Sequence, residues 1–277
     1  MRQTRDDGGS HALRNLWIMA LAAATAALLA APTARAAYVQ LTQTRSLSTT
    51  ASANLGGQPP ITDADSDNSS DLGSFDRSVT SSAGVGVPPP PIAGSFGTGL
   101  ASQSVQWAPT LITGTLCGDA QASTTFAQGS ANAHSFWSTT FRVDQATPFD
   151  LDGGVNVHSI PFNVSGFNGG NGIVSLNFSR QADAGGAEET LYTVSLNQPN
   201  SDNSRTVDLS GVLEPGYVYS LAATADASRS SSSLPVPPTF FGQTTSTVTF
   251  TLTTVPEPAA AGVLALSTTM LLRRRRR

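Results

Sequence analysis

Apolar side chains in the middle of this 277-residue chain alternate with polar ones instead of recurring at helical spacing. The clearest case is Thr247-Val248-Thr249-Phe250-Thr251-Leu252-Thr253, with Val248, Phe250 and Leu252 on one face and threonines on the other. A period of two built on β-branched residues marks a strand with one buried face. The same pattern predicts strands over residues 173–178, 190–196, 205–209 and 217–223, with looser alternation over 135–143. A first strand is expected to start at Tyr38. Gly169-Gly170-Asn171-Gly172 and residues 198–203 read as turns. Glu214-Pro215-Gly216 reads as a proline-then-glycine turn joining 207–213 to 217–221 in a hairpin. Residues 54–76, Pro88-Pro89-Pro90-Pro91 and 228–238 break the alternation and read as long loops. No amphipathic helix and no fixed repeat interrupt this pattern, so the chemistry must sit on sheets and loops.

Strands at intervals of about ten residues predict an all-β fold, an antiparallel β-sandwich (jelly-roll-like) with long Gly/Ser/Pro-rich loops. Alternation suits a sheet with one wet face and disfavours a parallel α/β sheet. One domain over 37–254, with an irregular N-terminal part, uses the length better than two small ones.

Composition sharpens this picture. All 15 basic residues are arginine, and charged residues make up only 12% of the chain. Between Ala37 and Val255 six arginines face 16 carboxylates, a formal balance of −10. An acidic body with no basic patch excludes nucleic acid as a partner, because phosphate neutralisation needs clustered cations. Cys117 is the sole cysteine, so no internal disulfide forms, and a small buried hydrophobe is its expected role.

The two ends read differently. Arg2, Arg5 and Arg14 precede an apolar run over 16–31, then Pro32 and the small-residue site Ala34-Arg35-Ala36. A basic region, an apolar helix and an A-x-A site define a signal peptide over 1–36, with Ala34 and Ala36 fitting the peptidase pocket. No arginine pair precedes the run, so general secretion is expected. At the other end stand Pro256-Glu257-Pro258, the run 259–272, and Arg273, Arg274, Arg275, Arg276 and Arg277. As a helix that run would span only about 21 Å, short of the ~30 Å hydrocarbon core. Five terminal arginines oppose passage through the bilayer and hold the tail on the cytoplasmic side.

Pro-Glu-Pro, an apolar helix and an arginine cluster, in that order over 255–277, resemble the PEP-CTERM sorting signal of exopolysaccharide-producing bacteria. The resemblance implies that Pro256, Glu257 and Pro258 are the recognition tripeptide for an exosortase, and that the five arginines retain the tail until it is cleaved. It covers only about the last 23 residues, and it names no activity for the body.

Few residues in the body suggest chemistry. Asp63, Asp65, Asp67 and Asp71 have the rhythm of a calcium loop, but Asn68 replaces the expected glycine and Ser74 the bidentate acid. No metal or cofactor is therefore assigned. Asp150-Leu151-Asp152-Gly153-Gly154 reads as a turn. His134 and His158 stand outside any metal or nucleophile motif, no G-x-S-x-G elbow occurs, and Glu188-Glu189 read as a charged hairpin end. A sugar platform would need an exposed aromatic: Trp107 is the better candidate, Trp137, Tyr217 and Tyr219 follow, and core packing is the default for each.

The sequence thus predicts an exported, non-catalytic protein of the cell surface or extracellular matrix. Signal peptidase and exosortase would be its processing partners, and its membrane association would be transient. The alternative is a secreted carbohydrate-binding module acting on exopolysaccharide.

Overall fold

The computed structural model describes residues 38–54, 58–86, 94–124, 128–160, 169–199, 201–231 and 240–254. These form one compact unit of two six-stranded antiparallel sheets. The strands are β1 (Tyr38–Asn54), β2 (Ile61–Ser69), β3 (Phe75–Gly86), β4 (Gly94–Ala108), β5 (Leu111–Thr124), β6 (Gln128–Val143), β7 (Thr147–Ile160), β8 (Gly170–Ala182), β9 (Glu189–Pro199), β10 (Asn203–Leu213), β11 (Tyr217–Ser231) and β12 (Phe240–Thr254). One sheet runs β2-β1-β6-β11-β8-β9 and the other β10-β7-β12-β5-β4-β3. The chain is an antiparallel β-sandwich, as the alternation implies. Among the described residues no helix is long and apolar enough to cross a membrane.

The two layers are packed in two different ways. At one end large side chains fill the gap. Trp137 stacks on Phe250 with ring centroids 5.1 Å apart, and Phe141 packs between Tyr38, Phe178 and Tyr219. Gly114 lies directly opposite Phe250 on β5, and the space its missing side chain leaves is occupied by the Phe250 ring. Toward the other end the buried positions are small: Ala51, Ala53, Ala83, Ala120, Ala131 and Ala227. Here the layers come much closer than the usual ~10 Å. A Cβ on Gly99 of β4 would sit 2.6 Å from the Asn132 carbonyl oxygen on β6, and one on Gly118 of β5 would sit 2.8 Å from that of Ala225 on β11. The small residues are a packing requirement, because backbone faces backbone there.

Besides β8 starting inside the expected turn at Gly170 and β11 running on to Ser231 inside the expected loop, three local expectations differ from the structure. The segment expected as a loop around 61–76 contains all of β2 and the start of β3. Its alternation is present but written in aspartates. Asp63, Asp65 and Asp67 pair in register with the inward-facing Ala51, Thr49 and Leu47 of β1. At this open edge the inward face meets the edge of β3 rather than a core: Asp63 Oδ2 accepts the Ser82 backbone N–H at 2.8 Å, and Asp67 lies 3.8 Å from Arg77. Arg45, 3% exposed, fixes the following connection by donating to Ser69 Oγ and the Asp71 carbonyl while its guanidinium covers the Phe75 ring at 4.1 Å. Charged, inward-pointing side chains also make β2 a poor template for another strand.

The second difference concerns Glu214-Pro215-Gly216. The turn forms, with Gly216 at φ +86° as a proline-glycine turn requires. It joins β10 in one sheet to β11 in the other, so it is a corner and not a hairpin. β10 pairs with β7 instead, and β11 sits between β6 and β8. Tyr219 ties the corner down: its hydroxyl accepts the Glu214 N–H at 2.6 Å and donates to the Glu214 carbonyl at 3.2 Å. This is the tyrosine-corner device of sandwich folds. Third, Asp150-Leu151-Asp152-Gly153-Gly154 is the middle of β7, where Leu151 is fully buried and Asp152 exposed.

Candidate functional site

The outer face of the first sheet presents serine, threonine and asparagine on alternate positions of β1, β6, β11 and β8 while the intervening residues enter the core. Antiparallel register then aligns side chains from different strands into rows. One row brings together Ser48, His134, Asp226 and Ile173, each directly opposite the next. The neighbouring row holds Thr50, Asn132, Ser228 and Asn171. Together they enclose a shallow depression of about 270 Å³.

His134 Nδ1 lies 2.5 Å from Asp226 Oδ1, and both side chains are half-exposed. The hydrogen bond to Asp226 raises the His134 pKa, opposed by burial and reinforced by the carboxylate charge. With Nδ1 committed to the carboxylate, Nε2 is left for other groups. Asn132 Nδ2 donates to Thr50 Oγ1 at 3.1 Å, and Ser228 Oγ to the Asn171 carbonyl at 3.3 Å. Asn171 Oδ1 is buried without a hydrogen-bond partner among the described residues.

Serine, histidine and aspartate side by side carry the residue types of an activated nucleophile. Two features of a working one are missing among the described residues. Ser48 makes no hydrogen bond to His134, and β6 and β11 each pair on both sides, which ties up the backbone N–H groups that could stabilise an oxyanion. The arrangement supplies clustered donors and acceptors beside a small apolar surface, formed by Ile173 and, two residues from His134 on the same face, half-buried Phe136.

The second body histidine has a carboxylate partner too. His158 Nδ1 lies 3.0 Å from Asp202 Oδ2, and Asp202 Oδ1 accepts the Ser159 N–H at 2.7 Å. That backbone bond is the main reason the Asp202 pKa is lowered, with His158 adding to it. The pair joins the start of β10 to the end of β7, beside an open groove that also includes Asn156 and Ser204. Neither partnership is visible as a motif, because the partners are 92 and 44 residues apart and only strand register brings them together.

Most residues considered on sequence grounds take other places. Trp107 is half-buried against Tyr38 and Phe141, with ring centroids 6.2 and 6.1 Å away. Trp137 and Tyr219 are fully buried, and Tyr217 lies under the Arg180 guanidinium at 4.6 Å. The expected sugar-platform aromatics therefore belong to the core or its margin. Asp63, Asp65 and Asp67 are spread along an extended strand, about 6.8 Å from one to the next, which separates rather than converges them. No group of three or more metal-ligating side chains occurs among the described residues. Glu188 accepts the Ser179 hydroxyl and Glu189 pairs with Arg180 at 2.8 Å, so the two acids have separate partners. Cys117 is half-buried near Thr247 and Asp119, and burial chiefly raises its pKa. Ala34, Ala36, Pro256, Glu257, Pro258 and Arg273 to Arg277 lie outside the described residues.

No family model matches the chain, and no curated protein matches it. Among solved structures, Eiger TNF from S. frugiperda is 13% identical over 42% of this chain and 64% of its own, with a TM-score of 0.22. The chain thus spans less than two thirds of that protein's length. The enzymatically active domain of bacteriophage CBA120 tailspike protein 4 is 12% identical over 55% of this chain and 19% of its own, with a TM-score of 0.21. A structure of infectious bursal disease virus Gt strain is 11% identical over 87% of this chain and 73% of its own, with a TM-score of 0.19. Likenesses this low assign the chain to no class; the sandwich rests on its own sheets.

Proposed function

We propose that the chain is an exported, non-catalytic protein of the cell surface or extracellular matrix, sorted through a PEP-CTERM tail that an exosortase cleaves. The observation that carries this reading is the pairing of two end signals in one chain: an apolar run closed by Ala34-Arg35-Ala36, and Pro256-Glu257-Pro258 ahead of an apolar run and five arginines. In this reading both apolar runs are helices, the body is wound as a jelly-roll-like variant of the sandwich, and membrane attachment lasts only until the tail is cut. Signal peptidase and exosortase are the processing partners. No nucleic acid is involved, since six arginines are spread among 16 carboxylates in the body.

Intact-mass analysis of the protein recovered from the envelope and medium of producing cells tests this reading. The expected product begins near Ala37 and lacks Arg273 to Arg277. A full-length tail on extracellular protein would refute it. A second reading, a carbohydrate-binding module for exopolysaccharide, draws support from the polar depression at His134 and Asp226 rather than from the aromatic platform expected at Trp107.

A further inference from the structure

The depression between β1, β6, β11 and β8 gathers unlike functional groups in one place. It combines a carboxylate, an imidazole with Nε2 available, two carboxamides and several hydroxyls within one small concavity. Its apolar lining is small: Ile173, 36% exposed, with Ala133 and Ala227, while Phe136 stands one pleat outside it on β6. At about 270 Å³ it falls below the ~300–1,000 Å³ of sites that enclose a drug-sized molecule, and suits a single ring.

The donor set also decides the charge of the ligand. Asp226 makes the floor acidic, and in the two rows that line the depression His134 is the sole cationic group. A phosphate, sulfate or uronate would meet a carboxylate with one shared proton to offset it, within a body of formal charge −10. A wholly apolar ligand would leave the amides and hydroxyls without partners. A pyranose ring fits both halves of the chemistry. Its hydroxyls exchange hydrogen bonds with Asp226 Oδ2, His134 Nε2, Asn132 and Ser228, and its C–H face covers Ile173.

We infer that the His134–Asp226 depression is a subsite for one pyranose ring of a neutral or amino polysaccharide. The inference rests on the carbohydrate-binding reading and adds to it the residues and the charge class of the sugar. The outer face on either side continues the hydroxyl rows, so a polymer can lie along it with one ring seated at the dyad.

The test is retention of the full-length chain, in mild detergent, on immobilised dextran, cellulose oligomers, galactomannan, chitosan oligomers, alginate and polygalacturonate. Asp226→Asn and His134→Gln are compared with the unaltered protein. Both side chains lie on the solvent face, and matching thermal melts establish that the variants fold. Retention is expected on at least one neutral or amino polymer and on neither uronate, with affinity at least about tenfold lower in Asp226→Asn, which loses a charge-assisted acceptor. In NMR titrations with the retained oligomer, the His134 ring protons should shift while those of His158 stay in place. Equal retention of both variants would overturn the subsite while leaving the carbohydrate-binding reading intact. Retention on no polymer, or preference for a uronate, would overturn the subsite, and retention on none would overturn that reading with it.

Discussion

Where the two sheets touch backbone to backbone, one methyl group should matter more than it does on the surface. In Gly99→Ala the added Cβ falls 2.6 Å from the Asn132 carbonyl oxygen and 3.2 Å from Thr49 Cβ, inside the separation of about 3.5 Å at which non-bonded atoms sit comfortably. The neighbour on β6 is an internal strand paired on both sides, so it cannot move alone. Overpacking of this kind costs about 1–3 kcal/mol. Gly118→Ala should behave alike, with contacts of 2.8 Å to the Ala225 oxygen and 3.2 Å to the Ala133 oxygen. Gly84→Ala is the control: its nearest neighbour would be 3.7 Å away, and loss of unfolded-chain freedom should stabilise it by about 0.4–1 kcal/mol. The inner and outer variants should therefore differ by about 1.5–4 kcal/mol. At a urea dependence of about 2 kcal/mol per molar, their midpoints should differ by about 0.7–2 M with unchanged slope. Fluorescence of buried Trp137 reports the transition. Gly99→Ala unfolding within about 0.5 kcal/mol of Gly84→Ala would refute the close approach of the layers.

Two further outcomes test the corner and the dyad. Tyr219→Phe keeps the ring packed 5.6 Å from Phe141 but removes both bonds to Glu214; a loss of about 1–3 kcal/mol is expected in equilibrium unfolding, and a loss below about 0.3 would mean water replaces them. His134 binds its proton more tightly when folded, so the stabilisation it contributes is complete below the ordinary histidine value of about 6.5 and disappears as pH rises through its higher folded pKa. Asp226 is the charged group facing it in its own row and in the adjoining rows of β1, β11 and β8. His134→Gln should abolish that decline. Because the side chain is 41% exposed, the effect should be small and weaken in salt, and an unchanged pH profile would refute it.

What the chain states locally, it states well. Val248, Phe250 and Leu252 alternate with threonines because a strand sends successive side chains to opposite faces, and that periodicity is enough to predict a half-buried sheet. Gly216 after Pro215 likewise specifies a turn from local sterics alone. The aspartates of β2 carry no hydrophobic alternation, because an edge strand can hold the same period in charged residues. Which strands become neighbours is not a local property. Val207 could have paired across the Pro215 turn, yet β10 enters one sheet beside β7 and β11 the other between β6 and β8, and there Val207 and Leu221 are both buried. The His134–Asp226 pair follows from the same global choice, because residues 92 apart meet only once β6 and β11 are aligned in register. Sequence by itself determined strand periodicity, turn chemistry and the charge of the body. Tertiary structure decided strand order, the thinness of one half of the sandwich and the place where an imidazole meets a carboxylate, because burying two apolar faces together is a property of the whole chain.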